Sequence, residues 1–280
     1  MASYSEATIT ELERRAQQLR RESLAMIYRR AAGHPGGTLS CAEIMAALFF
    51  QKMRLNPAQP DDPTRDRFIL SKGHASAILY AALAERGYFP KEDLERWGAL
   101  DCHLQGHPDR IKTPGVDMTS GLLGHGIAIG VGLVLAARRQ QQSYRTYVLL
   151  GDGECQGGIV WEGAMAASKF RAAEMTAILD YNDVQLDGPV HEIMPMEPMA
   201  GKWRAFGWAV LEIDGHNMRQ VLEALDAAEQ IHDRPTLILA HTTKGKGVSF
   251  MENDAHWHGV PPNEAEFLRA IAELEEGCHG

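Results

Sequence analysis

The sequence predicts an α/β fold: a doubly wound, mostly parallel sheet with helices on both faces. Three observations carry this expectation. From Thr146 onward, short aliphatic runs alternate with stretches of helical period. The runs TYVLL, MTAILDY and TLILAHT are nearly continuous in apolar residues, as strands buried on both faces require. Finally, each gap between runs is long enough for a helix, which is how parallel neighbours are connected. With 280 residues, 45% of them hydrophobic and 23% charged, the chain has ordinary globular composition and is expected to form one domain, 1–280.

Along the chain, Thr10 and Glu13 have capping-box spacing, and Leu12, Ala16, Leu19 and Ile27 keep one face apolar. This predicts a helix to about Ala32. The glycine-rich loop HPGGTLS follows, and Ser40 with Glu43 repeats the capping-box spacing before a mostly apolar helix through AEIMAALFF. RFILS is the first predicted strand and GHASAILYAALAERG the helix after it. Between about Tyr88 and Ser120 the periodicity fades among prolines, glycines, His103 and His107. Long excursions of this kind in compact domains are often functional. GLLGHGIAIGVGLVLAARR then predicts a glycine-rich helix in close contact with a neighbour. The rest alternates: strand TYVLL, helix IVWEGAMAASKF, strand MTAILDY, helix MAGKWRAFG, strand WAVLEID, helix MRQVLEALDAAEQ, strand TLILAHT and a final helix in NEAEFLRAIAELEEG.

Composition also excludes some functions. A net charge of −9 with no basic-aromatic stripe argues against nucleic-acid binding. MASYSEATIT lacks the features of a signal peptide, and IAIGVGLVLAA is too short to span a bilayer, so no membrane association is expected. Cys41, Cys102, Cys155 and Cys278 form no C-x-x-C pair and read as reduced thiols of a cytoplasmic protein.

One turn points to chemistry. In LLGDGECQGG, Asp152 ends an apolar run between two glycines, and Asn182 ends the next run 30 positions later, in DYNDVQLDG. That spacing matches one strand-helix-strand crossover, so adjacent parallel strands can bring both side-chain oxygens to one point beyond the sheet. A carboxylate, an amide oxygen and a nearby carbonyl suit Mg²⁺, which completes its shell with water and phosphate oxygens. The glycines admit a diphosphate to the backbone, and the following helix N-terminus offers free amides. The ion supplies a local cation, so the acidic balance of the chain is no obstacle.

GDGECQGGIVWEGAM together with DYNDVQLDG resembles the diphosphate-binding domain of transketolases. GHPGGTLS, ILSKGHASAILY, the GHP of QGHPDR, TPGVDMTSGLLGHG, HTTKGKGVSFMEN and WHG match further transketolase segments in order. The resemblance implies thiamine diphosphate held through Mg²⁺, or another divalent cation such as Ca²⁺, ligated by Asp152, Asn182 and the carbonyl of Val184. It places Gly153 against the diphosphate, with Leu122, Leu123 and Gly124 along the cofactor's path and Lys244 nearby. His34, His74, His107 and His258 match active-site histidines, with His74 and His258 also touching cofactor. Full transketolases continue into a pyrimidine-binding domain and a C-terminal domain. The chain is therefore expected to be the N-terminal subunit of a split transketolase, completed by a C-terminal subunit carrying the pyrimidine-binding domain. Two such chains would pair within a heterotetramer, with the helix from Gly121 to Val134 a candidate for the contact or for burial inside the domain. The implied reaction is two-carbon ketol transfer from a sugar phosphate to an aldose.

Two positions depart from the family pattern. Gly157 replaces the usual glutamate of GDG-x-x-Q-E-G, while Glu162 matches its companion, and His125 stands where glutamine is usual. Two other readings compete: the α chain of a thiamine-dependent 2-oxo acid dehydrogenase, and a non-catalytic cofactor-binding remnant. The sugar-contacting histidines argue against the first and the intact metal pair against the second. A zinc site at His256 and His258 is a weaker account of the metal.

Overall fold

The computed structural model describes residues 4–276; Cys278 lies outside them. Helix α1 spans Glu6–Arg30, earlier at both ends than expected: Ser5 is the cap, its hydroxyl accepting from the Thr8 amide, and Ala31 closes the helix in the left-handed region. Thr10 and Glu13 are therefore interior helical residues rather than a capping box. The HPGGTLS segment contains a short helix, α2 (Pro35–Leu39), before α3 (Ala42–Ala47), which widens into a π-helical turn over Leu48–Lys52. Ser40 and Glu43 do not form a capping box either. The Ser40 hydroxyl donates to Asp180 Oδ2 at 2.6 Å, and Glu43 receives the forked guanidinium of Arg20 at 2.6 and 2.7 Å. Both side chains are buried and committed to tertiary partners, which sequence spacing cannot reveal.

Strand β1 (Arg67–Leu70) leads through a 3₁₀ turn into α4 (Ser76–Glu85). The excursion up to residue 120 holds only a 3₁₀ segment at Lys91–Arg96. Helix α5 (His125–Arg139) starts later than expected, leaving Leu122 and Leu123 on the preceding loop. There follow β2 (Thr146–Gly151), α6 (Gly158–Lys169), β3 (Met175–Tyr181), the short α7 (Val190–Ile193), α8 (Met199–Ala205), β4 (Ala209–Asp214), α9 (Met218–Glu229), β5 (Thr236–His241) and α10 (Glu264–Glu276).

The five strands form one sheet in the order β1-β2-β3-β5-β4, every pair parallel. Side chains alternate between two cores. Tyr147, Leu149, Ile178 and Ile238 face α1, α3, α4 and α9, whereas Val148, Leu150, Ala177 and Leu239 face α5, α6 and α8. The small face of α5 is used inside the domain. A Cβ on Gly130 would fall 2.7 Å from Met175 Sδ, and one on Gly163 of α6 would fall 3.0 Å from the backbone nitrogen of Ala128. These glycines let α5 sit close to the sheet and α6 close to α5. Toward solvent the pair presents Ile129, Gly132 and Met165 instead.

Because all strands are parallel, their C-terminal ends share one edge. Register brings Leu70 beside Leu149, Gly151 beside Asp180 and Asp180 beside Ala240, so the loops after β1, β2, β3 and β5 meet there.

Two consequences are measurable. Gly163→Ala should cost about 1–3 kcal/mol in urea unfolding, because backbone of α5 blocks the added methyl. Burial works to raise the Glu43 carboxyl, but Arg20 and His216 outweigh it and hold it at about 2, against an ordinary value of 4.5. A depressed carboxyl contributes stability that is complete above 4.5 and is lost as pH falls through 2. Acid unfolding of wild type and Arg20→Met should show this: the variant is less stable at neutral pH, by about 3–5 kcal/mol, and the difference shrinks over that window.

Candidate active site

The edge where the strands end holds a cleft of about 360 Å³. Its floor is an ion pair. Lys72, from the loop after β1, donates to Asp180 Oδ2 at 2.6 Å and to the Gly37 carbonyl at 2.6 Å, and both charged side chains are essentially inaccessible. Asp180 also accepts from the hydroxyls of Ser40 and Thr242 and from the Asn182 amide. Burial pushes its carboxyl up, but the Lys72 ammonium and these donors outweigh it and hold Asp180 below the usual carboxylate range. Burial likewise opposes the charge on Lys72, and Asp180 reverses the effect, leaving the ammonium more firmly protonated than a free lysine.

Above this floor stands Asp152. Its Oδ2 accepts the backbone N–H groups of Asn182 at 2.9 Å and Asp183 at 2.5 Å, and its Oδ1 accepts that of Gly153 at 2.7 Å. The ends of β2 and β3 are thus tied through one carboxylate. Burial, with Asp180 nearby, raises the Asp152 carboxyl to about 6. A carboxylate in that state is short of positive charge. Lys244 is the cation at hand: its ammonium donates to the Val184 carbonyl at 2.8 Å and contacts His258 Nδ1 at 2.9 Å. Burial lowers Lys244 to about 8, a shift that Asp152 partly offsets. Asn182 Oδ1 accepts the Val184 amide at 3.1 Å. Asp152, Asn182 and Val184 thus line one cleft with a cation already beside them, and a carboxylate, an amide oxygen and a carbonyl are donor types that fit a hard divalent ion.

Three imidazoles form one wall. Ring centroids of His34, His74 and His258 lie 5.0 to 5.5 Å apart in every pairing. Burial lowers the proton affinity of each, strongly for His74 and to about 3 for His258, and neighbouring Lys72, Lys244 and histidines add to the effect. At neutral pH they are uncharged donors and acceptors. His107 is exposed at the rim, where it lies against Gly121.

The remaining expected positions divide. Leu123 and Gly153 line the cleft, and the side chain of Gln185 packs over Gly153. Leu122 is exposed on the same loop and does not line the cleft. Gly124 is buried behind it, with φ of 87°, and its N–H donates to Glu154 Oε1 at 2.6 Å. A Cβ there would collide with Ile159, so Gly124 sets the loop's course rather than offering surface. Sequence reasoning missed Lys72, Asp180 and Glu154. Glu154 accepts from Ser71, Gly124 and Gly151 and so clasps the loop after β1 and the loop before α5 to the end of β2. Lys72 stands in SKGH and Glu154 in GDGE, both inside family motifs, but no local pattern marks either as a buried anchor. Gly157 has an ordinary φ of −74°, so nothing in its backbone requires glycine.

Residues 12–275 match the family model of the transketolase thiamine diphosphate binding domain. The chain belongs to the transketolase family. It is 39% identical over 268 residues to an apulose-4-phosphate transketolase subunit of Phocaeicola vulgatus, covering 96% of this chain and 95% of that one. It is 42% identical over 266 residues to the 6-deoxy-6-sulfo-D-fructose transketolase subunit SqwG of a Clostridium species, covering 95% and 97%. Among solved structures it superposes on the Campylobacter jejuni transketolase with a TM-score of 0.89 at 33% identity, covering 94% of this chain but only 42% of that one. The transketolase domain binds thiamine diphosphate with a divalent metal, and the donor set at Asp152 suits that group. The match removes the 2-oxo acid dehydrogenase reading.

Lys72→Met would strand Asp180 as a buried, unpaired carboxylate. Such a loss costs about 3–5 kcal/mol, to be read from urea denaturation. The double variant Lys72→Met/Asp180→Leu should recover a substantial part of it.

Proposed function

We propose that this chain is the N-terminal subunit of a split transketolase, holding the metal-diphosphate end of thiamine diphosphate for two-carbon ketol transfer from a ketose phosphate to an aldose. The observation that carries the reading is one cleft lined by Asp152, Asn182 and Val184 beside Lys244, with a wall of neutral histidines.

In this reading Asp152, Asn182 and the Val184 carbonyl would hold the ion, and Gly153 would leave room for the diphosphate. When bound, thiamine diphosphate supplies the carbanion nucleophile and the electron sink that let the C2–C3 bond of the donor sugar break. The chain's own residues bind, orient and move protons. His34, His74 and His258, uncharged, donate to sugar hydroxyls or accept a hydroxyl proton as it leaves, and His107 meets substrate at the rim. Lys244 donates to the Val184 carbonyl in this structure and would have to release that oxygen for it to hold the ion. Leu123 would line the path along which the cofactor enters, with Leu122 exposed on the same loop and Gly124 setting that loop's course.

A partner chain carrying the pyrimidine-binding domain completes the site. Two observations support this: the relatives matched along almost their whole length are named as subunits, and Leu123 and Leu186, which line the cleft, are exposed. Apolar side chains grouped at a mouth favour coverage by another domain. Self-association within a heterotetramer would use the outward face of α5 and α6, at Ile129 and Met165. Among the described residues no helix is long and apolar enough to cross a membrane. Cys41, Cys102 and Cys155 are free and buried, which supports a cytoplasmic setting.

Calorimetry with the partner chain present tests the metal site. Asp152→Ala should lose Mg²⁺-dependent thiamine diphosphate affinity by a few kcal/mol, and unchanged affinity would refute the assignment. Light scattering with a coupled ketol-transfer assay tests the split: a dimer with no turnover, activated by the partner, is expected, and robust turnover by a monomer would contradict it.

A further inference from the structure

The turn after β4 carries a histidine that the proposed chemistry does not use. His216 is largely buried, its side chain 15% exposed, between α3 and the loop after β5. Its Nδ1 lies 3.1 Å from Glu43 Oε2, and its Nε2 accepts the backbone N–H of Thr243 at 2.8 Å. A ring nitrogen that accepts an amide N–H carries no proton, so the single proton of the imidazole sits on Nδ1, facing a carboxylate that can only accept. Donor and acceptor roles are therefore both fixed. Glu43 is itself immobile: the two terminal nitrogens of Arg20 grip its oxygens, while Arg20 Nε donates to the Leu39 carbonyl at 3.0 Å. A buried relay thus runs from α1 through α3 to one backbone amide.

That amide sits next to Lys244. The loop after β5 has three anchors in succession: Thr242 on Asp180, Thr243 on His216 and the Gly245 amide on the Gly36 carbonyl at 3.0 Å. The turn holding His216 presses directly on this loop, since a Cβ on Gly215 would fall 2.5 Å from Thr242 Cγ2. Beyond Lys244, Gly245 and Gly247 both have left-handed φ, at 76° and 90°, so the turn that follows depends on glycine. The middle anchor fixes the Thr242–Thr243 peptide, one Cα ahead of Lys244, while the Gly245 amide fixes the peptide that follows it.

We propose that His216 is a positioning residue for the cleft: through its hydrogen bond to the Thr243 amide it sets where the Lys244 ammonium meets the Val184 carbonyl. The proposal rests on reading the cleft as the thiamine diphosphate site, and its role lies in aligning the loop rather than in touching cofactor or sugar.

Two substitutions separate the bonds. His216→Asn keeps a donor to Glu43 but is too short to reach Thr243, whereas His216→Gln restores an acceptor at the reach of Nε2. Hydrogen exchange by mass spectrometry, on the chain without cofactor, reads the anchor directly in peptides covering residues 241–247. Calorimetry of Mg²⁺-thiamine diphosphate with the partner chain present reads its consequence. Loss of one hydrogen bond predicts about tenfold faster exchange and about tenfold weaker cofactor binding for His216→Asn, with His216→Gln within about threefold of wild type on both. Wild-type exchange in His216→Asn, or a Gln variant as impaired as the Asn variant, would overturn the proposal. So would faster exchange with unchanged affinity, which would detach the loop's order from cofactor binding. A wild-type complex that bound no thiamine diphosphate would instead refute the reading of the cleft, while the exchange contrast would still decide whether His216 holds Thr243.

Discussion

The buried contact between Lys72 and Asp180 organises everything above it. An ion pair taken out of water returns its desolvation cost only if its geometry is good and its remaining donors and acceptors are satisfied. Here they are. Lys72 also reaches the Gly37 carbonyl, and Asp180 collects Ser40, Thr242 and Asn182 besides. Those partners come from the α2–α3 segment and from the loops after β1, β3 and β5. The three loops are irregular and α2 is a single short helix, so each relies on partners outside itself. One carboxylate at the end of a central strand fixes all of them relative to the sheet, and Glu154 does the same for the loop leading into α5.

The electrostatics of the cleft follow from that floor. Lys72 and Lys244 place positive charge under and beside the imidazoles, and burial withholds water from them, so His34, His74 and His258 stay neutral. Neutral rings can pass protons in both directions with sugar hydroxyls, which charged rings cannot. Asp152 experiences the opposite shortage: buried close to Asp180, it needs a cation to remain ionised comfortably. The same crowding of charge that would be costly in a structural core becomes useful where an ion and a diphosphate are to be bound.

Much of this was legible in the sequence because regular elements and backbone-dictated motifs announce themselves locally. The strands TYVLL and MTAILDY fell where their apolar runs put them, and the parallel arrangement followed from the alternation with helices. Asp152 and Asn182 were readable since their spacing is the length of one crossover. What failed was reasoning from short spacings in places where tertiary partners decide. Thr10/Glu13 and Ser40/Glu43 both have capping-box spacing, yet Ser5 caps the first helix, and Ser40 and Glu43 bond to Asp180 and Arg20 across the fold. The small face of α5 looked equally suited to a subunit contact, and only packing shows it pressed on β2, β3 and α6. Lys72, Asp180 and His216 carry no local signal at all: their partners lie 108 and 27 positions away in the chain.

Anomalous diffraction from crystals of the two-chain complex grown with Mn²⁺ and thiamine diphosphate tests the central claim most directly. The account predicts one manganese peak bounded by Asp152, Asn182 and the Val184 carbonyl, with the diphosphate on its far side and the Lys244 ammonium withdrawn from Val184. Bound cofactor with no manganese at these three oxygens, or with Lys244 still seated on the Val184 carbonyl, would contradict it.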